Sequence, residues 1–193
     1  MEGVGSARLT KWAFYFKLWA SFTIGYGLFF MPTSEQIAAS GTEDALQSAL
    51  LNELAITIRP TFPQIDLIYH IPNGGSRGSN QREAQINGAR MKALGVKRGV
   101  PDLCLPIPMQ GYGSLYIEMK KPKDGALSVD QKPRIKMLTE MGNMCAIIDD
   151  WRVGVQLVYD YLYVRDAGQF RAKYAITEIG PSLLVFDPNC YYR

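Results

Sequence analysis

Apolar positions divide this chain into short runs and longer periodic stretches. Over residues 42–58, Ala45, Leu46, Ala49, Leu50 and Leu54 recur at helical spacing, and Thr42 stands where a cap belongs. The pattern predicts a helix with Glu43 in its first turn. A short apolar strand over residues 67–71 reaches His70, and a polar loop from Pro72 to Asn80 follows. Residues 81–94 read as a basic helix closed by Gly95. Residues 102–108 and 114–120 alternate or run apolar, as strands do. A helix over 128–141 tolerates Pro133 near its start, and a strand over 144–148 follows. Residues 151–163 form an amphipathic helix whose predicted stripe is Trp151, Val155, Val158, Tyr159 and Leu162. That stripe reads as packing.

Met109-Gln110-Gly111-Tyr112-Gly113 joins the two central strands into a hairpin. A turn centred on Gly111 sets Leu103 against Met119, Leu105 against Ile117 and Ile107 against Leu115. All six are apolar, and a one-residue slip would scatter them over both faces. The same register puts Asp102 opposite Lys120 and Cys104 opposite Glu118. Asp102 and Glu118 then become diagonal neighbours on the other face.

Two carboxylates and an ammonium on one face suit hydrolysis of a phosphodiester. Mg²⁺ prefers oxygen ligands, commonly one or two carboxylates with waters and phosphate oxygens. Asp102 and Glu118 would supply the carboxylates, and the Met119 carbonyl a further oxygen. The ion would acidify a water and stabilise charge on phosphorus. Lys120 points to the same side as Glu118 and can orient the water or neutralise developing charge. Read singly, Pro-Asp is an ordinary turn pair and Glu-x-Lys an ordinary solvated pattern.

These residues belong to a longer series. It runs from Glu43 and Gln47 to His70-Ile71-Pro72-Asn73-Gly74-Gly75 and Gly95-Val96-Lys97-Arg98-Gly99-Val100-Pro101-Asp102. Ile117-Glu118-Met119-Lys120 and Ser128-x-x-Gln131 complete it. From Glu43 to about residue 150 the chain resembles the VRR-NUC domain, the virus-type replication-repair nucleases of the PD-(D/E)XK superfamily. The resemblance implies an α/β, restriction-endonuclease-like core in the order α-β-β-β-α-β, with a mixed sheet flanked by helices. It implies a Mg²⁺- or Mn²⁺-dependent DNA endonuclease of replication and repair, acting on branched or structured DNA. The site it implies comprises Glu43, Asp102, Glu118, Lys120 and Gln131, with Glu43 also near the metal. Two of these have simpler readings from the residues themselves. A carboxylate at Glu43 complements a helix dipole, and Ser128 and Gln131 have the spacing of a capping box.

The formal net charge is only +3, so a nucleic-acid footprint must be local. Arg77, Arg82, Arg90, Lys92, Lys97 and Arg98 are opposed by Glu83 alone over residues 77–98. A second basic cluster comprises Lys120, Lys121, Lys123, Lys132, Arg134 and Lys136. Either could be a plain solvated face. Flanking a carboxylate site, they make Asn73, Arg77, Arg82, Arg90, Lys97, Arg98, Lys121 and Lys123 the candidate DNA contacts. His70, the sole histidine, reads as a packed or capped residue and stays outside the metal set, with substrate contact left open. Cutting two strands symmetrically would require a homodimer. The competing function is a non-catalytic DNA-binding module that keeps the nuclease fold.

The length suits one domain with a sizeable core. The expected division is a hydrophobic N-terminal extension over 1–34, a nuclease domain over 35–165 and a C-terminal extension over 166–193. Cys104, Cys145 and Cys190 are an odd count without metal spacing, which suggests reduced thiols and a cytoplasmic location. Residues 12–32 are aromatic-rich and carry one charge, Lys17. They read as a stretch upstream of a true start at Met31, as a packed extension, or as a membrane anchor. The stretch 165–193 is apolar around Leu183-Leu184-Val185-Phe186 and is expected to cover the core or an interface.

Overall fold

The computed structural model describes residues 32–72, 81–122, 125–174 and 183–186. A short helix α1 (Ser34–Ala38) precedes α2 (Glu43–Thr57), which Thr42 caps by accepting from the Ala45 amide. A 3₁₀ turn (Pro63–Leu67) leads into β1 (Tyr69–His70). Then come α3 (Gln81–Ala93), β2 (Leu103–Leu105), β3 (Leu115–Met119), α4 (Gln131–Glu140) and β4 (Met144–Ile148). Helices α5 (Trp151–Tyr163) and α6 (Ala167–Tyr174) and strand β5 (Leu183–Phe186) complete the described elements.

The strands form one sheet in the order β1-β2-β3-β4-β5. All neighbouring pairs are antiparallel except β3 and β4, which run parallel and therefore need a crossover, supplied by α4. Alternation decides the faces. Leu103, Leu105, Leu115, Ile117, Met119, Met144, Ala146 and Ile148 turn into a core with Leu46, Ala49, Leu50 and Leu54 of α2 and with α5. Cys104, Tyr116, Glu118 and Cys145 leave on the opposite face, where α4 packs on β4. Cys104 and Cys145 are free buried thiols.

The hairpin register differs from the expected one. Leu103 pairs with Ile117, Cys104 with Tyr116 and Leu105 with Leu115, an offset of two residues. An even offset keeps each side chain on its face, so the core side survives while the partners change. The cause lies near the tip. Gln110 and Gly111 both have positive φ, 59° and 87°, in a tight turn closed by Met109 and Tyr112. Between that turn and the paired strands the 106–108 side carries one residue more than the 113–114 side. Pro106 and Pro108 stand in it and cannot donate to a ladder. The Gln110 amide donates to the Tyr161 and Val164 carbonyls at 2.9 and 2.7 Å, which holds its unusual backbone against the end of α5.

Two other expectations shift. Residues 67–71 contribute a strand of two residues only, because Pro63 starts a 3₁₀ turn that consumes the apolar run before it. In α5 the buried residues include Leu157 and Tyr161, whereas Tyr159 is exposed. The stripe is wider than expected because α6 covers a second side. Phe170 and Tyr174 are buried, and Phe170 meets Tyr161 edge-on at 6.0 Å. Residues 167–174 thus cover the core, and β5 extends the sheet beyond β4. Among the described residues no helix is long and apolar enough to cross a membrane. Residues 12–32 lie outside them, apart from Pro32.

Candidate active site

The end of β3 gathers the acidic and basic groups. Glu118 is 1% exposed and Lys120 7% exposed, although both are charged types that seldom go inside. The Lys120 ammonium donates to Glu118 Oε1 at 2.5 Å and lies 3.9 Å from Glu43 Oε1. The Gln131 amide nitrogen also donates to Glu118 Oε1. Glu118 Oε2 is buried and has no hydrogen-bond partner. Burial, then the negative charge of Asp102, push the Glu118 carboxyl up to about 7, with Lys120 opposing and Glu43 adding to the rise. An unpartnered buried carboxylate oxygen beside further acids is the environment a divalent cation relieves.

Asp102 immediately precedes the neighbouring strand β2. Its carbonyl accepts from the Ile71 amide at 2.7 Å, which extends the β1–β2 pairing and fixes the backbone. Its Oδ2 accepts from the Met119 amide at 2.9 Å. In a strand the N–H and C=O of one residue leave on the same edge, so the Met119 carbonyl faces the Asp102 side. With the observed register, Asp102 stands level with Glu118 rather than with Lys120. The expected diagonal pair is therefore a directly opposed one. Among the described residues no three His, Cys, Asp or Glu side chains form a ready cation cage. Two carboxylates suit Mg²⁺, which completes its shell largely with waters.

Glu43 occupies the first turn of α2 with Asp44, where its charge also complements the helix dipole. Gln131 makes two sets of contacts. Its Oε1 accepts from the Ser128 amide at 2.8 Å, while Ser128 Oγ accepts from the Gln131 amide at 3.2 Å, a reciprocal cap. Its other end reaches Glu118. The described helix begins at Gln131 itself, three residues later than expected.

One glycine sets the spacing between these parts. Gly99 has φ +75°, and a Cβ there would stand 2.1 Å from the Asp130 carbonyl oxygen. The turn before Asp102 thus touches the start of α4 backbone to backbone.

The expected DNA contacts are placed differently. Arg82 and Arg90 lie exposed on α3, and Lys97, Arg98 and Lys121 are exposed in the loops. Arg98 sits 3.8 Å from Asp130. Asn73, Arg77 and Lys123 lie outside the described residues. His70 stands beside the site: its Nδ1 is 3.0 Å from Gln47 Nε2 and 3.0 Å from the Asp102 carbonyl. No role for Gln47 followed from its position alone. The available signal was its place one turn beyond Glu43 on the same helix face.

A mixed sheet flanked by helices, with one acid just before a strand, a second acid on the strand beside it and a lysine two residues beyond the second, is a restriction-endonuclease-like α/β fold. The chain belongs to the VRR-NUC domain family, which it matches over residues 50–149. Asp102, Glu118, Lys120, Gln131 and His70 fall inside that match, and Glu43 and Gln47 just before it. A solved structure described as a VRR_NUC domain protein is similar at 28% identity with a TM-score of 0.53, covering 65% of this chain and 91% of the other. No curated protein matches the sequence. The family is a nuclease-type one.

Proposed function

We propose that this chain is a Mg²⁺- or Mn²⁺-dependent DNA endonuclease acting on branched or structured DNA in replication or repair. The observation that carries this reading is the buried, unpartnered Glu118 Oε2, flanked by Asp102 and the Lys120 ammonium. Asp102, Glu118 Oε2 and the Met119 carbonyl would hold the cation, with Glu43 close by. When bound, such an ion supplies Lewis-acid stabilisation of phosphoryl charge and an acidified water. Lys120 donates hydrogen bonds from a site sheltered from solvent, where a fixed ammonium stabilises developing negative charge more than it would in water. Gln131 and Lys120 together fix Glu118 Oε1, so the orientation of Oε2 is set by the protein. Arg82, Arg90, Lys97, Arg98 and Lys121 supply cationic charge for the phosphate backbone, and Asn73, Arg77 and Lys123 extend this set in sequence. Two copies acting together would suit two-strand cutting.

The test is cleavage of end-labelled single-stranded, duplex, flap and four-way DNA with Mg²⁺, Mn²⁺ or EDTA. Metal-dependent cutting strongest on the branched substrates is the expected result. Tight binding without turnover under every metal would establish the non-catalytic alternative instead.

A further inference from the structure

His70 is the sole histidine of the chain, is exposed, and ends the edge strand β1. Both of its polar neighbours meet the same ring atom. Gln47 Nε2 and the Asp102 carbonyl oxygen each lie 3.0 Å from Nδ1. Nε2, across the ring, has no hydrogen-bond partner among the described residues. The Asp102 carbonyl already accepts from the Ile71 amide at 2.7 Å. The Gln47 amide nitrogen is purely a donor, so a bond from it makes Nδ1 an acceptor and leaves the hydrogen on Nε2, whereas a bond from Nδ1–H to the second lone pair of the Asp102 carbonyl requires the opposite tautomer. Gln47 is half-buried on α2, one turn beyond Glu43, and so is anchored from the core side.

We propose that His70 is a substrate contact, its Nε2–H donating to a DNA phosphate oxygen flanking the one that is cut, with Gln47 as the residue that positions the ring. The inference rests on the chain acting on DNA, as proposed above. The contact is placed on a flanking phosphate because the ring abuts the Asp102 backbone rather than its carboxylate. His70 therefore serves affinity and registration of the strand, and Gln47 acts through it.

The sole histidine makes the test clean. Binding of a short labelled duplex is measured by anisotropy in EDTA, where no cutting occurs, for the parent, His70→Asn and His70→Gln. Asparagine keeps a polar atom near the Nδ1 position and has none near Nε2, whereas glutamine reaches the Nε2 position. His70→Asn is expected to bind roughly tenfold more weakly, the loss of one hydrogen bond to a charged group, with an unchanged melting temperature. His70→Gln recovers most of that loss. In ¹⁵N-histidine spectra of the parent, the hydrogen resides on Nε2 and that resonance moves when DNA is added. A purely structural histidine would leave it in place. Binding of His70→Asn equal to the parent, a hydrogen on Nδ1 in the complex, or an unmoved Nε2 resonance each overturns the proposal. A parent that binds DNA but never cuts it defeats the nuclease reading and leaves this inference standing. A parent that binds no DNA defeats both.

Discussion

At the end of β3, Glu118 and Lys120 are almost wholly enclosed, whereas along α3 every described side chain is at least partly exposed. Both regions are assigned to the same polyanion, yet they are built in opposite ways. Glu118 is tied at one oxygen by Lys120 and Gln131 and rests on a strand whose other face is core. Arg82 and Arg90 ride on a helix that contributes nothing to that core. The contrast follows from what each task requires. Chemistry at phosphorus is sensitive to displacements of an ångström, which only packing can prevent. Attraction of a phosphate backbone depends on charge, which acts over several ångströms in salt and tolerates motion. Stability and function are therefore coupled in the first region and separable in the second.

Substitutions can break that coupling in graded steps. Lys120→Ala should have the largest effect. It is expected to slow metal-dependent cleavage by about 10²–10³-fold. It should also cost about 3 kcal/mol of stability, because Glu118 is left buried without its cation. Gel assays and thermal melts check the two arms. Glu118→Gln sharpens the point. It removes the other partner of the same buried pair, so cleavage should vanish, and the metal-free melting temperature should fall less than in Lys120→Ala, because Glu43 still faces the ammonium and the raised Glu118 carboxyl is the costlier charge to enclose. Parent-like cleavage by either variant would remove the site assignment.

Gly99→Ala comes next. The new methyl group meets the Asp130 carbonyl and the backbone sits at positive φ, so a loss of at least about 2 kcal/mol is expected, with slower cleavage alongside. A melt lowered by several degrees checks it. Gln131→Ala and Ser128→Ala form a matched pair of smaller changes. Both should lose about 1 kcal/mol of cap stability. Only Gln131→Ala should also slow cleavage, by about tenfold, since only Gln131 touches Glu118. Equal rates for the two would reduce Gln131 to a cap. Arg82→Ala with Arg90→Ala should have the least effect on the fold, within about 0.5 kcal/mol for each surface change. Duplex affinity should fall, and the slope of log affinity against log salt should shrink by about 0.9 for each phosphate the variant no longer neutralises. A melting change comparable to that of Lys120→Ala would erase the contrast between the two regions.

The parts most legible in the sequence are those fixed by periodicity and by short-range chemistry. Thr42 caps α2 as its type and place imply, and Gly95 closes α3 with a positive φ of 88°. The faces of β2 and β3 were legible because alternation has a period of two. Their pairing was not, because it depends on how the prolines at 106 and 108 divert the chain before the turn. The breadth of the buried side of α5 was hidden for a related reason. It is set by Phe170 and Tyr174, which lie beyond the helix and whose approach no local pattern encodes. At the site, the grouping of Lys120, Glu118 and Gln131 followed the motif order. The meeting of Gln47, His70 and the Asp102 carbonyl joins three separate segments, so only the fold reveals it.

The bare approach of Gly99 to Asp130 bears on how the site comes apart. A junction made of two main chains has no rotamer to exchange, so small thermal fluctuations cannot ease it by degrees. The aspartate turn and the glutamine helix must separate as whole segments or stay together. Amide hydrogens on both sides of that junction should accordingly exchange with solvent in one step, at a common rate.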